Sequence, residues 1–213
     1  MSDDSAKPHS EYKPTFLTAL SWYAMLACLV AAVSVLVADF VVPDHDWIAD
    51  TISDLGAGKY EFIVDTGIYA LSSALIATAL IAAHLHLGNW RWSVGIIGLA
   101  LLGLIVFLIG ARNEYGDNDN EGIVIHIYLV YALGILMVVV PALMAQGAGR
   151  AGQIYGRILI GISGLWILSA PVFFFLPTDI DGVYERYLGL ITFGMIFVFA
   201  RLFISRAQEI KGS

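Results

Sequence analysis

The sequence predicts an all-α polytopic membrane protein, folded as a six-transmembrane-helix bundle. Of its 213 residues, 59% are hydrophobic and only 14% are charged, whereas about 25% of the residues in a soluble domain are charged. Its mean hydropathy is +0.79. Six apolar runs are each long enough to cross a hydrocarbon core about 30 Å thick, which takes about 20 helical residues. Lipid is therefore expected to surround most of the chain.

The six predicted spans follow one another with little sequence between them. They cover residues 15–42, 62–86, 90–111, 122–146, 154–176 and 183–205. They predict a transmembrane domain over residues 14–205, with a disordered polar N-terminus before it (1–13) and a solvated tail after it (206–213). The first run is about twice as long as the apolar core of a signal peptide, so we interpret it as a retained span.

The connections between the spans differ in length. Short ones, LHLGNWRW after the second span and QGAGRAGQIYGR after the fourth, predict tight antiparallel hairpins. The connections at the opposite ends of the spans are longer, especially residues 43–61. The IADTISDLGAG sequence within this connection predicts a short interfacial helix that ends at Gly56.

Small residues in the third and fifth spans predict close helix packing, because they let two backbones approach each other. They are Gly95, Gly98 and Gly103 in the third span and Gly161, Ser163 and Gly164 in the fifth.

The charges are divided unequally between the two ends of the spans. The side that carries both termini holds eight of the eleven Lys and Arg residues, so both termini are predicted to be cytoplasmic. The opposite side holds 14 of the 18 acids and has a net charge of −11. Such a face repels anionic polymers, which excludes nucleic acid as a partner and leaves membrane lipids as the expected surroundings.

Ionisable residues recur about one turn inside the non-cytoplasmic ends of several spans. Asp65 lies in the second span, Arg112 closes the third, His126 lies in the fourth, and Glu185 and Arg186 open the sixth. A charge at the bilayer centre costs about 2.5–3.5 kcal/mol on insertion scales. We therefore expect the two arginines to pair with Asp65 and Glu185, or the group to line a wet cavity. The alternative is that these charges only solvate the helix ends.

Familiar cofactor chemistries do not fit the positions of the titratable residues. All lysines lie outside the spans, which excludes a retinal Schiff base. His84 and His86 lie at the opposite end of the spans from His126, so they cannot share a haem iron with it. An intramembrane zinc hydrolase needs about three histidines around one water, and only His126 is well placed, with His45 as a remote second. We predict no cofactor and no metal.

Several short motifs occur together along the chain. They are ISDLGAG at 52–58, Asp65-Thr66-Gly67, Arg112 with the acidic loop that follows it, His126 and the pair Glu185-Arg186. With them the chain resembles domain of unknown function 998, a family of prokaryotic six-span membrane proteins, over residues 15–205. The resemblance implies six spans in a prokaryotic plasma membrane and no established activity. The family usually has Asn at the position of Asp65, so this acid departs from its pattern.

Three functional hypotheses follow. The first is a protein that binds or transports a small molecule or lipid head group in an outward-facing polar pocket. The second is a membrane-embedded hydrolase in which His126 acts with Asp54 or Asp65, with Ser53 as a candidate nucleophile. The third is a non-catalytic scaffold or sensor in which ion pairs only lock the helices together. The predicted site residues are Asp54, Asp65, Arg112, His126, Glu185 and Arg186.

Overall fold

The computed structural model describes residues 13–56, 59–111 and 125–212, and the regular structure within them is helical throughout. The helices are α1 Pro14–Val41, α2 Ile52–Leu55, α3 Glu61–Leu85, α4 Trp90–Ala111, α5 Ile125–Ala151, α6 Gln153–Phe173 and α7 Asp181–Gly212. All except α2 are long and apolar enough to cross a membrane. The prediction of an all-α six-helix membrane protein is therefore confirmed.

The last helix extends beyond the predicted span, which ended at residue 205. Helix α7 continues without a break to Gly212. Within this extension Ala207 is fully buried, and Ile210 packs against the same core. The continued helix is stabilised because one of its faces still packs on the bundle. Of the predicted disordered N-terminus, residues 1–12 lie outside the described residues.

The six long helices form a closed ring. Each packs against the next long helix along the chain, and α7 packs against α1. The α3–α4 and α5–α6 neighbours are the two predicted hairpins, which are thereby confirmed. At the first of these turns His86 adopts a left-handed conformation, with φ at 39°. The first and last described residues, Lys13 and Gly212, lie at one end of the ring, which we call the terminal end; the opposite end is the cap end.

Large side chains fill the ring near the terminal end. Trp92, Phe199 and Phe203 are each at most 1% exposed. The ring centroids of Trp92 and Phe199 lie 6.5 Å apart in an edge-to-face arrangement, and those of Phe199 and Phe203 lie 5.9 Å apart. The Trp92 indole N–H donates to the Ala82 carbonyl at 2.9 Å. This half of the bundle is consequently a packed core.

The predicted close packing of α4 is confirmed. A Cβ at Gly95 would lie 2.2 Å from Met144 Cγ, and one at Gly98 would lie 2.5 Å from Val140 Cγ2. A Cβ at Gly103 would fall 2.7 Å from the Ile76 side chain. Glycine is thus what lets α3 and α5 approach this helix.

For α6 the same prediction is only partly right. A Cβ at Gly161 or Gly164 would meet no atom within 4 Å, so these two glycines do not mediate helix contacts in the described structure. Ser163 does lie at the interface, where its hydroxyl donates to the Val138 carbonyl at 2.8 Å. Residues one or two positions apart point about 100° or 200° away from each other around a helix, so of these three only Ser163 faces α5.

Candidate functional site

A folded segment covers the cap end of the bundle. This cap segment comprises residues 42–56 and contains α2. Thr51 Oγ1 accepts a hydrogen bond from the Asp54 N–H at 3.2 Å, and Asp54 Oδ2 accepts one from the Thr51 N–H at 2.7 Å. This capping box begins α2, and Gly56 ends it, which confirms the predicted short helix. Leu55 is 1% exposed and anchors the segment in a small apolar cluster.

The cap segment is bonded to the first turn of α7. The first N–H groups of a helix have no partner within the helix. Here Gly182 N–H donates to the Ala49 carbonyl at 3.3 Å, and Val183 N–H donates to the Ile48 carbonyl at 3.0 Å. A Cβ at position 182 would lie 2.1 Å from the Asp50 carbonyl oxygen, so the approach depends on Gly182 having no side chain.

Arg186 strengthens this junction. Its Nη2 lies 2.5 Å from Asp39 Oδ1, and the two side chains are only 15% and 10% exposed. Its Nη1 donates to the carbonyls of Asp50 and Gly182 at 3.0 and 2.9 Å. One guanidinium therefore joins α1, the cap segment and α7.

His45 completes the same cluster from within the cap segment. Its Nε2 lies 3.0 Å from Asp39 Oδ1, and its Nδ1 lies 3.2 Å from Asp50 Oδ2. The imidazole is 3% exposed. His45 is thus an anchor between two carboxylates beside Arg186, which lies 3.3 Å from it.

The expected pairing of Arg186 with Asp65 or Glu185 is wrong, because the ion pair forms with Asp39. Successive residues of an α-helix point about 100° apart. Arg186 therefore faces α1, while Glu185 faces the bundle interior and accepts a hydrogen bond from the Ile52 N–H at 2.6 Å. The two neighbours hold the cap segment from different sides.

A cavity of about 610 Å³ lies beneath the cap segment, and all six long helices contribute to its wall. Apolar side chains form most of the wall, among them Leu75, Leu102, Val106, Met137 and Phe193. The polar side chains include Thr51, Ser53, Asp54, His126, Asp181 and Glu185. Acids are present in this lining, but among the described residues it includes no Lys or Arg.

Hydrogen bonds between α6 and α7 show how deep the cavity extends. The Tyr184 hydroxyl donates to the Ser169 carbonyl at 3.0 Å, and the Ser169 and Tyr187 hydroxyls also lie 3.0 Å apart. Ser169 is therefore level with the second turn of α7. Trp166, which lines the cavity, is about one helical turn deeper than Ser169. The cavity consequently extends from the cap segment toward the middle of the bundle.

Three cavity-lining residues have buried polar atoms that lack a hydrogen-bond partner in the described part of the chain. They are His126 Nδ1, Trp166 Nε1 and Asp181 Oδ1. Trp166 is only 4% exposed. An unmade hydrogen bond of a buried group costs about 1–3 kcal/mol. Each of the three atoms has almost no accessible surface, so its residue lines the cavity through other atoms.

A family model for proteins of unknown function, DUF998, matches residues 25–202. The chain belongs to the DUF998 family. The matched region of this DUF998 protein contains the whole cap segment, Arg186 and all the cavity-lining residues. No curated protein and no solved structure matches the chain.

The predicted site of the DUF998 protein is only partly assembled. Asp54, His126 and Glu185 line one cavity. Asp65 does not belong to the lining, and its Oδ1 is buried without a hydrogen-bond partner among residues 13–56, 59–111 and 125–212. Arg112 and the acidic loop after it lie outside the described residues. Within the described ranges no group of three His, Cys, Asp or Glu is placed to hold a metal ion.

The predicted site of this DUF998 protein left out Asp39, His45, Trp166 and Asp181, and His45 was considered only as a remote zinc ligand. Asp181 could have been placed at the start of the last helix from the sequence, since acids are common in the first turn of a helix. The sequence gives no indication that Trp166 lines a cavity, because it lies in an apolar run where a tryptophan is expected to face either lipid or core.

Proposed function

We propose that this integral membrane protein binds a small molecule or a lipid head group in the cavity beneath the cap segment. The observation that carries the proposal is the cavity itself. Ligand sites commonly have volumes of about 300–1,000 Å³, mostly apolar walls and a few convergent polar groups. The volume of about 610 Å³ and the polar side chains near the cap segment, such as His126 and Glu185, fit this description.

The proposal places the cap segment on the non-cytoplasmic face of a prokaryotic plasma membrane, with both termini in the cytoplasm. Its support is the excess of Lys and Arg on the terminal side, which holds eight of the eleven such residues. The cavity would then receive its ligand from outside or from the outer leaflet. The strongly acidic non-cytoplasmic side makes nucleic acid an unsuitable partner.

Binding accounts for the structure better than open conduction does. The fully buried Trp92, Phe199 and Phe203 separate the cavity from the terminal end of the bundle. A transport cycle would have to move these packed aromatic side chains. We therefore propose a pocket that opens toward the cap end, with transport as a further step that requires a second conformation.

A membrane hydrolase is the second candidate, because Ser53, Asp54 and His126 line the same cavity. A catalytic histidine is normally oriented by a third group on its other nitrogen. His126 Nδ1 has no such partner in the described part of the chain. Ester hydrolysis that is lost in both Ser53→Ala and His126→Ala, with lipid binding retained, would favour the hydrolase over a pure binding protein. A scaffold role explains the Arg186–Asp39 pair but leaves the cavity without a purpose.

Cavity-filling substitutions test the binding proposal. Gly134 and Gly189 both line the cavity, and a Cβ at either position meets no atom within 4 Å. Leucine at these positions should fill the cavity without a clash. Gly161→Leu is the matched control, since Gly161 also has open space around it but is exposed on α6 away from the cavity.

The measurement is native mass spectrometry of the purified proteins in mild detergent. We expect a bound lipid or small molecule on the wild type and on Gly161→Leu, and at least tenfold lower occupancy on Gly134→Leu and Gly189→Leu. Equal occupancy in all four proteins would contradict the proposal, and so would a wild type that retains nothing.

A further inference from the structure

The cavity beneath the cap segment reaches the outside of the bundle at the end of α6. Of the described residues that line it, Phe174 and Thr178 are exposed, whereas the others are buried or half-buried. Resting on the proposed function, we infer that an acyl chain of a membrane lipid occupies the cavity. The chain enters sideways from the bilayer, between Tyr131 on α5 and Phe174 at the end of α6. Four observations lead to this assignment.

The first observation is the contact between Tyr131 and Phe174, which we call the ring pair. The ring centroids lie 5.3 Å apart, with an angle of 51° between the ring planes. Phe174 lines the cavity and is nevertheless 44% exposed, and Tyr131 is 49% exposed. One residue therefore borders both the cavity and the surroundings of the bundle. At this point the wall of the cavity is a single residue thick.

The second observation is how the contact between α5 and α6 changes along the helices. Near the terminal end their backbones touch, since a Cβ at Gly156 would lie 2.6 Å from the Ala145 carbonyl oxygen. Farther along, the Ser163 hydroxyl bonds to the Val138 carbonyl at 2.8 Å. One turn nearer the cap end, Gly134 lines the cavity, and a Cβ there would meet no atom within 4 Å. Gly134 is three residues from the α5 member of the ring pair, so open space adjoins that pair.

The ring pair is consequently the movable part of this wall. Exposed side chains change rotamer within picoseconds to nanoseconds, without movement of the backbone. Rotation of the two rings opens a gap between α5 and α6 above their backbone contact.

The third observation is the apolar surface outside the ring pair. Ile135, one turn from Tyr131 on α5, is exposed, and so are Val172 and Phe175 on either side of Phe174 along the chain. In a protein with six apolar spans, large apolar side chains exposed together mark a surface that contacts the membrane. The gap at the ring pair therefore opens into lipid.

The fourth observation is the interior of the cavity. Its volume of about 610 Å³ has room for on the order of 20 water molecules, and each buried water needs two to four polar partners. Leu71, Leu133 and Phe193 line the cavity and are half-buried, so apolar surface remains accessible there. Water against such a wall is unfavourable, and a hydrocarbon chain removes this contact. The acyl chain therefore lies along this wall, and the head group of the lipid remains at the surface beside Thr178.

The test follows lipid exchange on the full chain in mild detergent. The protein is loaded with dipalmitoyl phosphatidylethanolamine and mixed with an excess of the chain-deuterated lipid, and native mass spectrometry measures the replacement over time. Phe174→Ala and Tyr131→Ala should each exchange about fivefold faster than wild type, the size expected from the loss of one aromatic pair. The controls are Phe175→Ala and Tyr128→Ala, which change exposed aromatic residues outside the ring pair and the cavity lining. Both should exchange at the wild-type rate.

Lipid occupancy at equilibrium should stay the same in the ring-pair variants, because a gate changes the rates of entry and exit together. Wild-type exchange rates in both variants would overturn the lateral route. A fall in occupancy that matches the faster exchange would also overturn it, since the ring pair would then only hold the lipid.

Two further measurements separate the alternatives. Acceleration in Gly182→Ala, which disturbs the cap segment, but not in Phe174→Ala would place the entrance at the cap segment and overturn the lateral route. Glycerophosphoethanolamine carries the same head group without acyl chains. In large molar excess it should displace no lipid from wild type, and displacement would overturn the assignment of the acyl chain.

Failure of the lateral route is distinguishable from failure of the binding proposal. If Gly134→Leu loses the lipid while both ring-pair variants exchange it at the wild-type rate, the cavity is a binding site but the route is wrong. If Gly134→Leu holds and exchanges the lipid as wild type does, or if wild type takes up none, both the inference and the proposed function are wrong.

Discussion

Arg186 Nη2 lies 2.5 Å from Asp39 Oδ1, so an ion pair joins the last long helix to the first at the cap end of the ring. The same carboxylate oxygen is 3.0 Å from His45 Nε2. A residue from α1, one from the cap segment and one from α7 thus share a single contact point. The pair closes the ring of helices and holds the cap segment over the cavity at the same time.

Breaking this pair from either side should destabilise the protein. Removing one partner of a buried ion pair leaves the other charge uncompensated and costs about 3–5 kcal/mol. We expect Asp39→Asn and Arg186→Gln each to lower the thermal midpoint in detergent, and the double variant to lose less than the sum of the two, because the contact is lost only once. Thermal unfolding of the four proteins measures this coupling. Strictly additive losses would contradict a direct interaction.

Gly182→Ala should detach the cap segment. The new Cβ would lie 2.1 Å from the Asp50 carbonyl oxygen, which belongs to backbone and has to move. A clash of this kind costs about 1–3 kcal/mol. Gly194→Ala is the control on the same helix, because a Cβ there meets nothing within 4 Å. Limited proteolysis should cut the cap segment faster in Gly182→Ala only; similar cleavage of both variants would show that the segment does not depend on this contact.

Trp92→Ala should be among the most damaging single substitutions. Trp92 is 1% exposed, contacts Phe199 and donates to Ala82. Truncating a buried tryptophan costs about 3–5 kcal/mol. Trp90→Ala, at a position 64% exposed, should have little effect on the thermal midpoint. Comparable midpoints for the two variants would contradict the packed core at the terminal end.

Gly156→Ala should separate α5 from α6. A Cβ at this position would lie 2.6 Å from the Ala145 carbonyl oxygen and 3.0 Å from Gly149 Cα, and neither backbone atom can rotate away. We expect a loss of about 1–3 kcal/mol in the free energy of unfolding. Gly161→Ala on the same helix has free space, so its unfolding free energy should be unchanged or higher. A larger loss of unfolding free energy in Gly161→Ala than in Gly156→Ala would show that a different face of α6 packs against α5.

Much of the fold could be predicted because membrane helices are encoded locally. Within lipid every backbone polar group must be satisfied inside its own segment, so a run of about 20 apolar residues specifies a helix without reference to the rest of the chain. The capping box of Thr51 and Asp54 is equally local, since its two partners are three residues apart. Helix α7 continues past the predicted span because its last turns pack around Ala207.

The site was harder to predict, because depth in the membrane does not specify direction around a helix. Glu185 and Arg186 have nearly the same depth, yet one faces the cavity and the other faces Asp39. His126 and Glu185 come from different helices, and both line the cavity. Asp65 was expected beside them but does not line the cavity.

By itself, the sequence determined the six long helices, the short α2 that ends at Gly56 and the hairpin pairs. These features depend on apolar length, on spacing of a few residues and on the hydrophobic thickness of the bilayer. Only the tertiary structure decided that the ring is packed near the terminal end and hollow beneath the cap segment, and that Arg186 pairs with Asp39 rather than Asp65. Such features depend on the rotation of each helix about its own axis, which is set by side-chain packing between segments far apart in the chain.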